Sequence, residues 1–377
     1  MREGVTYKRL GDLATFVNGY AFKPETWSDS GIPIIRIQNL NNPDAAFNYY
    51  DGEIPSKYVV EEGDLLISWS ASLGAYFWNR EKAYLNQHIF KVVFDKGDIN
   101  KSYLKYAVEA QLEDMKRKAH GGTMQHIVKK DFDATPIPVP SLSDQELIVR
   151  ELDSISSVIS AKKQQVQELD NLAQAIFLDT FGDPISNPKG WEVKKMSEVS
   201  AEKLSYGSGA SATTYDGSTR YVRITDIKDS GELNDDMVSP NVIDEKYILN
   251  DGDILFARSG ATVGKTYLHS AENGRCIYAG YLIRLVPNKE LTLPCYIFNL
   301  TKTEYYRLFI ASTQRAVAQP NINAQQYGEF RIPLPPLSLQ QAFAEKVQAI
   351  EKQKRLINQS IAEFESLLAQ RMEFHFA

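Results

Sequence analysis

The sequence of 377 residues predicts an α+β fold: two similar globular α/β domains in tandem, separated by two long helices that form an antiparallel intramolecular coiled coil. Four observations carry that expectation. The stretch from Ser143 to Asp183 contains no Gly or Pro before Gly182, as a long helix requires. Within it Ile148, Leu152, Ile155, Ile159, Val166, Leu169 and Ala173 follow alternating steps of four and three, interrupted only by Lys162, and one helix cannot bury such a seam alone. The segment from Ser338 to Ala377 is a copy of the same element. It aligns Phe343 with Ile148, Val347 with Leu152, Ile350 with Ile155, Ile361 with Val166, Phe364 with Leu169 and Leu368 with Ala173. Finally, the segments ahead of the two helices repeat each other, which divides the chain into domains 1–142 and 184–337 and helices 143–183 and 338–377.

The first domain opens with TYKRLGDLATFVNGYAF, a strand or turn leading into a short apolar segment. GIPIIRIQNL is β-branched and bounded by turn residues, and it reads as a strand ending in a turn. Glu62-Gly63-Asp64 is a turn feeding the apolar strand after it, and Ser68 to Ser72 form a small polar loop at that strand's end. YLNQHIFKVVF reads as a strand, KSYLKYAVEAQLEDMKRKA as a helix and GGTMQHIVKKDF as a Gly-led loop. The prolines of PIPVPSLS then force an extended lead into the long helix.

The second domain repeats this order. Tyr221 to Ile227 matches Ile34 to Leu40 and sets Arg223 against Arg36. Asp251 to Ser259 matches Glu62 to Ser70, Gln319-Pro-Asn-Ile322 matches Gln125-His-Ile127, and Ile332 to Ser338 matches Ile137 to Ser143. Between these frames the residues differ, so the scaffold is shared and the loops are not.

The net charge of -6 is unevenly spread: residues 143–183 hold 3 basic and 8 acidic groups, while 1–142 holds 17 and 18. The globular parts are neutral, so the overall acidity does not exclude DNA, and phosphate affinity would come from locally clustered Lys and Arg or from a basic partner. No run approaches the roughly 18 apolar residues of a membrane span and no leader pattern opens the sequence, which predicts a cytoplasmic protein without membrane contact. Cys276 and Cys295 are too few for a disulfide framework, and neither they nor the five scattered histidines have metal-site spacing, so no metal is expected. Two helices of about forty residues, packed antiparallel at about 1.5 Å per residue, would each be roughly 55 to 60 Å long and would set the domains at opposite ends in pseudo-two-fold relation. Such an object suits a duplex, whose major-groove faces recur about every 34 Å.

The order domain, helix, domain, helix, with the I-P-L-P-P-L-x-x-Q lead of Ile332 to Gln340 and its copy Ile137 to Gln145, resembles the specificity subunit of type I restriction-modification systems. The run Arg258 to Lys265 after a G-D-hydrophobic strand, and the Q-P-N-I loop, are similar to that family too, and the resemblance covers nearly the whole chain. It implies that the globular parts are target recognition domains, each reading one half of a bipartite double-stranded DNA target. It also implies that the coiled coil fixes the spacer and docks two methyltransferase subunits, which restriction subunits can join. Those methyltransferase subunits would bind S-adenosylmethionine and methylate adenine N6, leaving this chain with no catalysis and no cofactor. The first copy departs from the pattern: Ser141 replaces the second proline, Gln125-His-Ile127 lacks Pro-Asn, and Trp69 stands where the second copy has Arg258.

The enzymatic readings fail on their residues. Ser259 to Thr266 lacks the first glycine of a phosphate loop, Glu192-Val-Lys194 has no well-placed carboxylate before it, and Asp183-Pro-Ile is not an amino-methylation motif. A non-catalytic two-headed scaffold spacing two protein ligands would use the same coiled coil. For DNA, candidates are polar loop residues that can pair with base edges or phosphates. In the first domain these are Arg36, Gln38, Asn39, Trp69, Ser70, Ser72, Thr123 and Gln125, with Lys129 and Lys130 for phosphates. In the second they are Arg223, Thr225, Asp226, Arg258, Ser259, Thr262, Lys265, Arg315, Gln319 and Asn321. Flanked by β-branched residues in both copies, Arg36 and Arg223 suit a framework carboxylate equally well, and Asp64 and Asp253 suit turns.

Overall fold

The computed structural model describes residues 6–42, 44–70, 72–118, 128–315 and 321–377, with the side chains of 113–118 and 315 outside that description. The chain divides into two compact units, residues 1–163 with 359–377 and residues 164–358.

In the first unit, Thr15–Asn18, Ile89–Val93, Leu65–Ser68 and Gly74–Phe77 form an antiparallel sheet in that spatial order. A second sheet runs Asn48–Tyr50, Ile32–Ile35, Ala83–Leu85, Val59–Val60, with its middle pair parallel. The second unit repeats the first sheet as Ser205–Tyr206, Leu282–Leu285, Ile254–Ala257, Thr266–Leu268, and its strands Thr219–Val222 and Arg275–Tyr278 make the corresponding parallel pair. The repeat inferred from sequence is therefore one of topology. The turns before the central strands repeat as well: Gly63 and Gly252 take φ of 84° and 92°, where an L side chain is strained. The carboxylates of Asp64 and Asp253 each accept the backbone N–H three residues upstream, from Glu61 and Asn250, at 2.8 Å.

Two local expectations change. The run GIPIIRIQNL is a strand only over Ile32–Ile35, after which Ile37–Asn41 is helical. The cause lies at the third helical position, where Asn39 Oδ1 accepts the Arg36 N–H at 3.0 Å and Asp226 Oδ2 accepts the Arg223 N–H at 2.8 Å, each closing a turn against the strand's continuation. The Gly-led loop also ends in a short helix, Lys129–Asp133.

The long helices span Leu142–Phe181 and Leu337–Phe376, and the first stops at Gly182, whose φ of 81° suits a C-terminal cap. Each extended proline segment ahead of a helix pairs antiparallel with the first strand of its domain, Pro136–Pro138 with Tyr7–Arg9 and Arg331–Leu334 with Glu192–Lys195. The glutamine that follows, Gln145 or Gln340, is buried and locks the helix start to its domain. Gln145 accepts the Asn100 N–H at 2.9 Å and donates to the Pro140 carbonyl, and Gln340 accepts the Leu293 N–H at 2.8 Å and donates to the Pro335 carbonyl.

Within each unit the helix segments run antiparallel. In the first, Glu151 is bonded to Arg371 and His375, and Lys163 to Glu365. In the second, Asp170 pairs with Lys354, and Phe177 and Phe181 pack edge-on against Phe343. Leu152, Ile155, Ile159, Phe343, Val347, Ile350 and Ile361 are buried, whereas Ile148, Val166, Leu169, Phe364 and Leu368 are half-buried. Both domain cores take in helix residues. Leu152 and Phe376 join Phe16, Phe90 and Tyr103 in the first, while Phe343 and Phe181 join Phe256, Tyr296 and Tyr327 in the second. Burying one such phenylalanine contributes about 2 to 3 kcal/mol, enough to hold a helix end on its sheet. Lys354 interrupts the seam in the second unit, where it is 3% exposed and bonded to Asp170 at 2.8 Å and Glu351 at 3.1 Å.

Candidate nucleic-acid interface

In both units one end of the four-stranded sheet carries an open platform, and the strand register explains which residues form it. Asn18 lies opposite Phe90 and Ser68 opposite Ile89, so the residues just beyond these strands, Trp69 and His88, come together with Asn18. The Trp69 N–H donates to the His88 carbonyl at 3.3 Å, its indole Nε1 donates to Asn18 Oδ1 at 3.2 Å, and its ring stacks on Phe90 at 5.6 Å. In the second unit Tyr206 lies opposite Ile283 and Ala257 opposite Leu282, which gathers Tyr206, Arg258 and Tyr281. The Arg258 N–H donates to the Tyr281 carbonyl at 3.1 Å, its guanidinium lies 4.7 Å over the Tyr206 ring, and its Nε donates to Asn321 Oδ1 at 3.2 Å. Gly19 and Gly207 set this geometry, because a Cβ at either would collide with backbone carbonyls, of Asn86 in one case and of Tyr278 and Ala279 in the other.

The structure thus brings Arg258, Ser259 and Asn321 together, Ser259 and Asn321 being bridged through their backbones. Thr262 is tied back to the Ser259 carbonyl, and Lys265 turns away to Asp229 at 2.9 Å and to the Ile227 carbonyl. Trp69 has the platform position in the first unit; Ser70 beside it is buried and Ser72 exposed. Thr123, Gln125 and Gln319 lie outside the described residues, as does the side chain of Arg315.

The other candidates lie around the short helical turns, and of these Lys129 reaches the first platform, its ammonium 5.7 Å from the Phe90 ring on which Trp69 stacks. Arg36 donates to Asn48 Oδ1 at 3.0 Å and lies over Trp27, and Gln38 is exposed. Asn39 is buried with its amide donating to the carbonyls of Ala45 and Ala46. In the second copy Arg223 forks onto the fully buried Asp226 and reaches Asp236 at 2.9 Å, and Asp226 first among these carboxylates raises the arginine's pKa and keeps it charged. Of the two arginines that suit a framework carboxylate and a DNA contact equally well, Arg223 holds such a carboxylate, Asp226, whereas Arg36 meets the Asn48 amide and the Trp27 ring. Thr225 beside it is exposed. Lys129 pairs with Asp133 at 2.6 Å, and Lys130 projects from the same short helix into solvent.

Sequence reasoning missed four platform residues, Asn18, His88, Tyr206 and Tyr281. Tyr281 is 63% and Tyr206 42% exposed, and the Tyr206 ring lies beneath the Arg258 guanidinium. A signal existed in Asn18-Gly19 and Tyr206-Gly207, a polar or aromatic residue ahead of a glycine in both copies, although pairing is what joins Tyr206 to Tyr281.

Two platforms alike in backbone and unlike in exposed side chains define a tandem recognition scaffold. The chain belongs to the family described as the type I restriction modification DNA specificity domain, whose sequence model matches residues 2–171 and 188–366. Its relatives include the EcoBI specificity subunit of Escherichia coli, 22% identical with 95% of this chain and 82% of that protein covered. The MjaVIII specificity subunit of Methanocaldococcus jannaschii is also 22% identical, with coverage of 91% and 85%. Among solved structures, the S subunit of a type I restriction-modification system from M. genitalium shares the fold, at a TM-score of 0.54 and 13% identity over 100% of this chain and 98% of that one. Another, from work on assembly and conformational transition of the type I system, gives 0.51 at 17% identity, covering 99% and 97%. Specificity subunits are the non-catalytic, cofactor-free members of their complexes, and enzymatic activity belongs to other subunits. No described helix is long and apolar enough to cross a membrane.

Proposed function

We propose that each globular domain, 1–142 and 184–337, reads one half of a bipartite double-stranded DNA target. In this reading the helices 143–183 and 338–377 set the spacer and dock two methyltransferase subunits, which bring S-adenosylmethionine and which restriction subunits can join. The observation that carries it is the pair of platforms, where one backbone frame presents Trp69, Asn18 and His88 in one copy and Arg258, Tyr206 and Tyr281 in the other. A shared frame fixes register against the duplex while differing side chains read different base edges. Exposed Lys130 serves phosphates, whereas inward-facing Asn39 and Asp226 serve the frame.

The test is a domain exchange. Residues 184–337 are replaced by the corresponding part of another family member, and the chimera is assembled with its methyltransferase. The methylated motif should change in one half and keep the other half and the spacer. A motif altered in both halves, or in neither, would refute the assignment.

A further inference from the structure

Arg258 is held in a manner that selects one kind of base. Its backbone is fixed on both sides, through its N–H to the Tyr281 carbonyl at 3.1 Å and through its carbonyl from the Ile322 N–H at 2.9 Å. Its side chain is fixed twice more, by the Tyr206 ring 4.7 Å below the guanidinium and by the bond from Nε to Asn321 Oδ1. Tyr206 is itself anchored, its hydroxyl accepting the Ala324 N–H at 3.1 Å. Among the described residues no carboxylate pairs with Arg258, in contrast to Arg223, which is bound by Asp226 and Asp236. The two Nη groups are thus left as an oriented, unneutralised fork with Nε already used. That fork matches two acceptors side by side, and in the major groove guanine offers that pattern with O6 and N7.

We propose that Arg258 reads a guanine in the half-site of the second domain, donating end-on from Nη1 and Nη2 to O6 and N7, with Tyr206 and Asn321 as positioning residues. The proposal rests on the DNA-reading function above and adds the identity of one base. The first domain has no counterpart. Trp69 occupies the position, and its single donor is spent on Asn18. A guanidinium can equally clasp a phosphate, but such a contact would carry no base preference, and this difference decides the test.

The complex of this chain with its methyltransferase is assayed in two ways, by mapping methylated motifs in cells and by measuring methylation rates on four duplexes that differ only at one base pair. The unaltered chain should give a motif with guanine in one half. Arg258→Gln should relax that position alone, lowering the preference for guanine over the other bases by roughly ten- to a hundredfold, because a good bidentate pair supplies discrimination of that order. Since the readout is a ratio within one variant, lower overall activity does not obscure it. Tyr206→Ala, which leaves the arginine in place, should weaken the same preference by a smaller factor. An unchanged ratio with uniformly slower methylation would assign Arg258 to a phosphate and overturn the proposal, as would relaxation at a position that is not guanine. If the unaltered chain directs no motif at all, the DNA-reading function itself fails, a result distinct from either.

Discussion

Replacing Gln340 with methionine tests how the helices are joined to their domains. The side chain is fully buried and its oxygen accepts from the Leu293 N–H at 2.8 Å and the Thr292 hydroxyl at 3.2 Å, while its amide donates to the Pro335 carbonyl at 2.8 Å. Methionine fills nearly the same volume, so the packing loss is small. The Leu293 N–H and the Pro335 carbonyl lose these partners, and each unsatisfied group costs about 1 to 3 kcal/mol. The Thr292 hydroxyl can rotate and adds little. The expected loss is therefore about 2 to 6 kcal/mol from the unfolding free energy of the second unit. Gln145→Met should weaken the first unit similarly, since Asn100 N–H and the Pro140 carbonyl are left in the same way. Urea unfolding followed by a fluorescence probe placed in each domain measures both. A loss under about 0.5 kcal/mol for Gln340→Met would mean that water or neighbouring groups satisfy these atoms, and the locking role would be wrong.

Three further outcomes follow from buried groups. Lys354→Ile, which puts into the second unit the residue type found at the aligned Ile159, should be neutral or stabilising within about 1 kcal/mol. Asp170→Ala, which leaves the buried ammonium with Glu351 alone, should destabilise by more than that in the same urea measurement. Burial lifts the thiol pKa of Cys276 to about 11 and of Cys295 to about 12, so neither should react with a thiol reagent in the native protein at pH 8, and both should react once it is unfolded in urea. Desolvation lowers the pKa of His269, which bonds the Tyr267 hydroxyl at 3.1 Å, so the fold favours its neutral form. The corresponding stability is present above the ordinary histidine value of about 6.5 and is lost as pH falls through the depressed value. Unfolding curves between pH 7.5 and about 5 should show the second unit weakening, and His269→Gln should flatten that dependence.

What could be read in the sequence was whatever depends on spacing along one element. The long helices were legible because Leu152, Ile155 and Ile159, and Val347 and Ile350, follow the heptad, and these are buried. The repeat was legible because Gly63 and Gly252 must occupy the same left-handed turn in both copies. The helical turn after Ile35 was hidden, since Arg36 to Leu40 carries strand-favouring neighbours and only the back-bonding of Asn39 ends the strand. The platform was half visible. Arg258 and Trp69 at strand ends and Asn321 in its loop could be picked out, but Tyr206 and Tyr281 join Arg258 only through pairing between distant segments, which no local pattern records. Lys354 was hidden because its partner Asp170 comes from the other long helix.

The most direct test of the whole account is a genome-wide map of adenine methylation in cells making the partner methyltransferase, with and without this chain. The account predicts a split motif that appears only when the chain is present and is composed of two half-sites at a fixed spacing. If both proteins are made and form a complex and yet no motif appears, the two platforms do not read DNA.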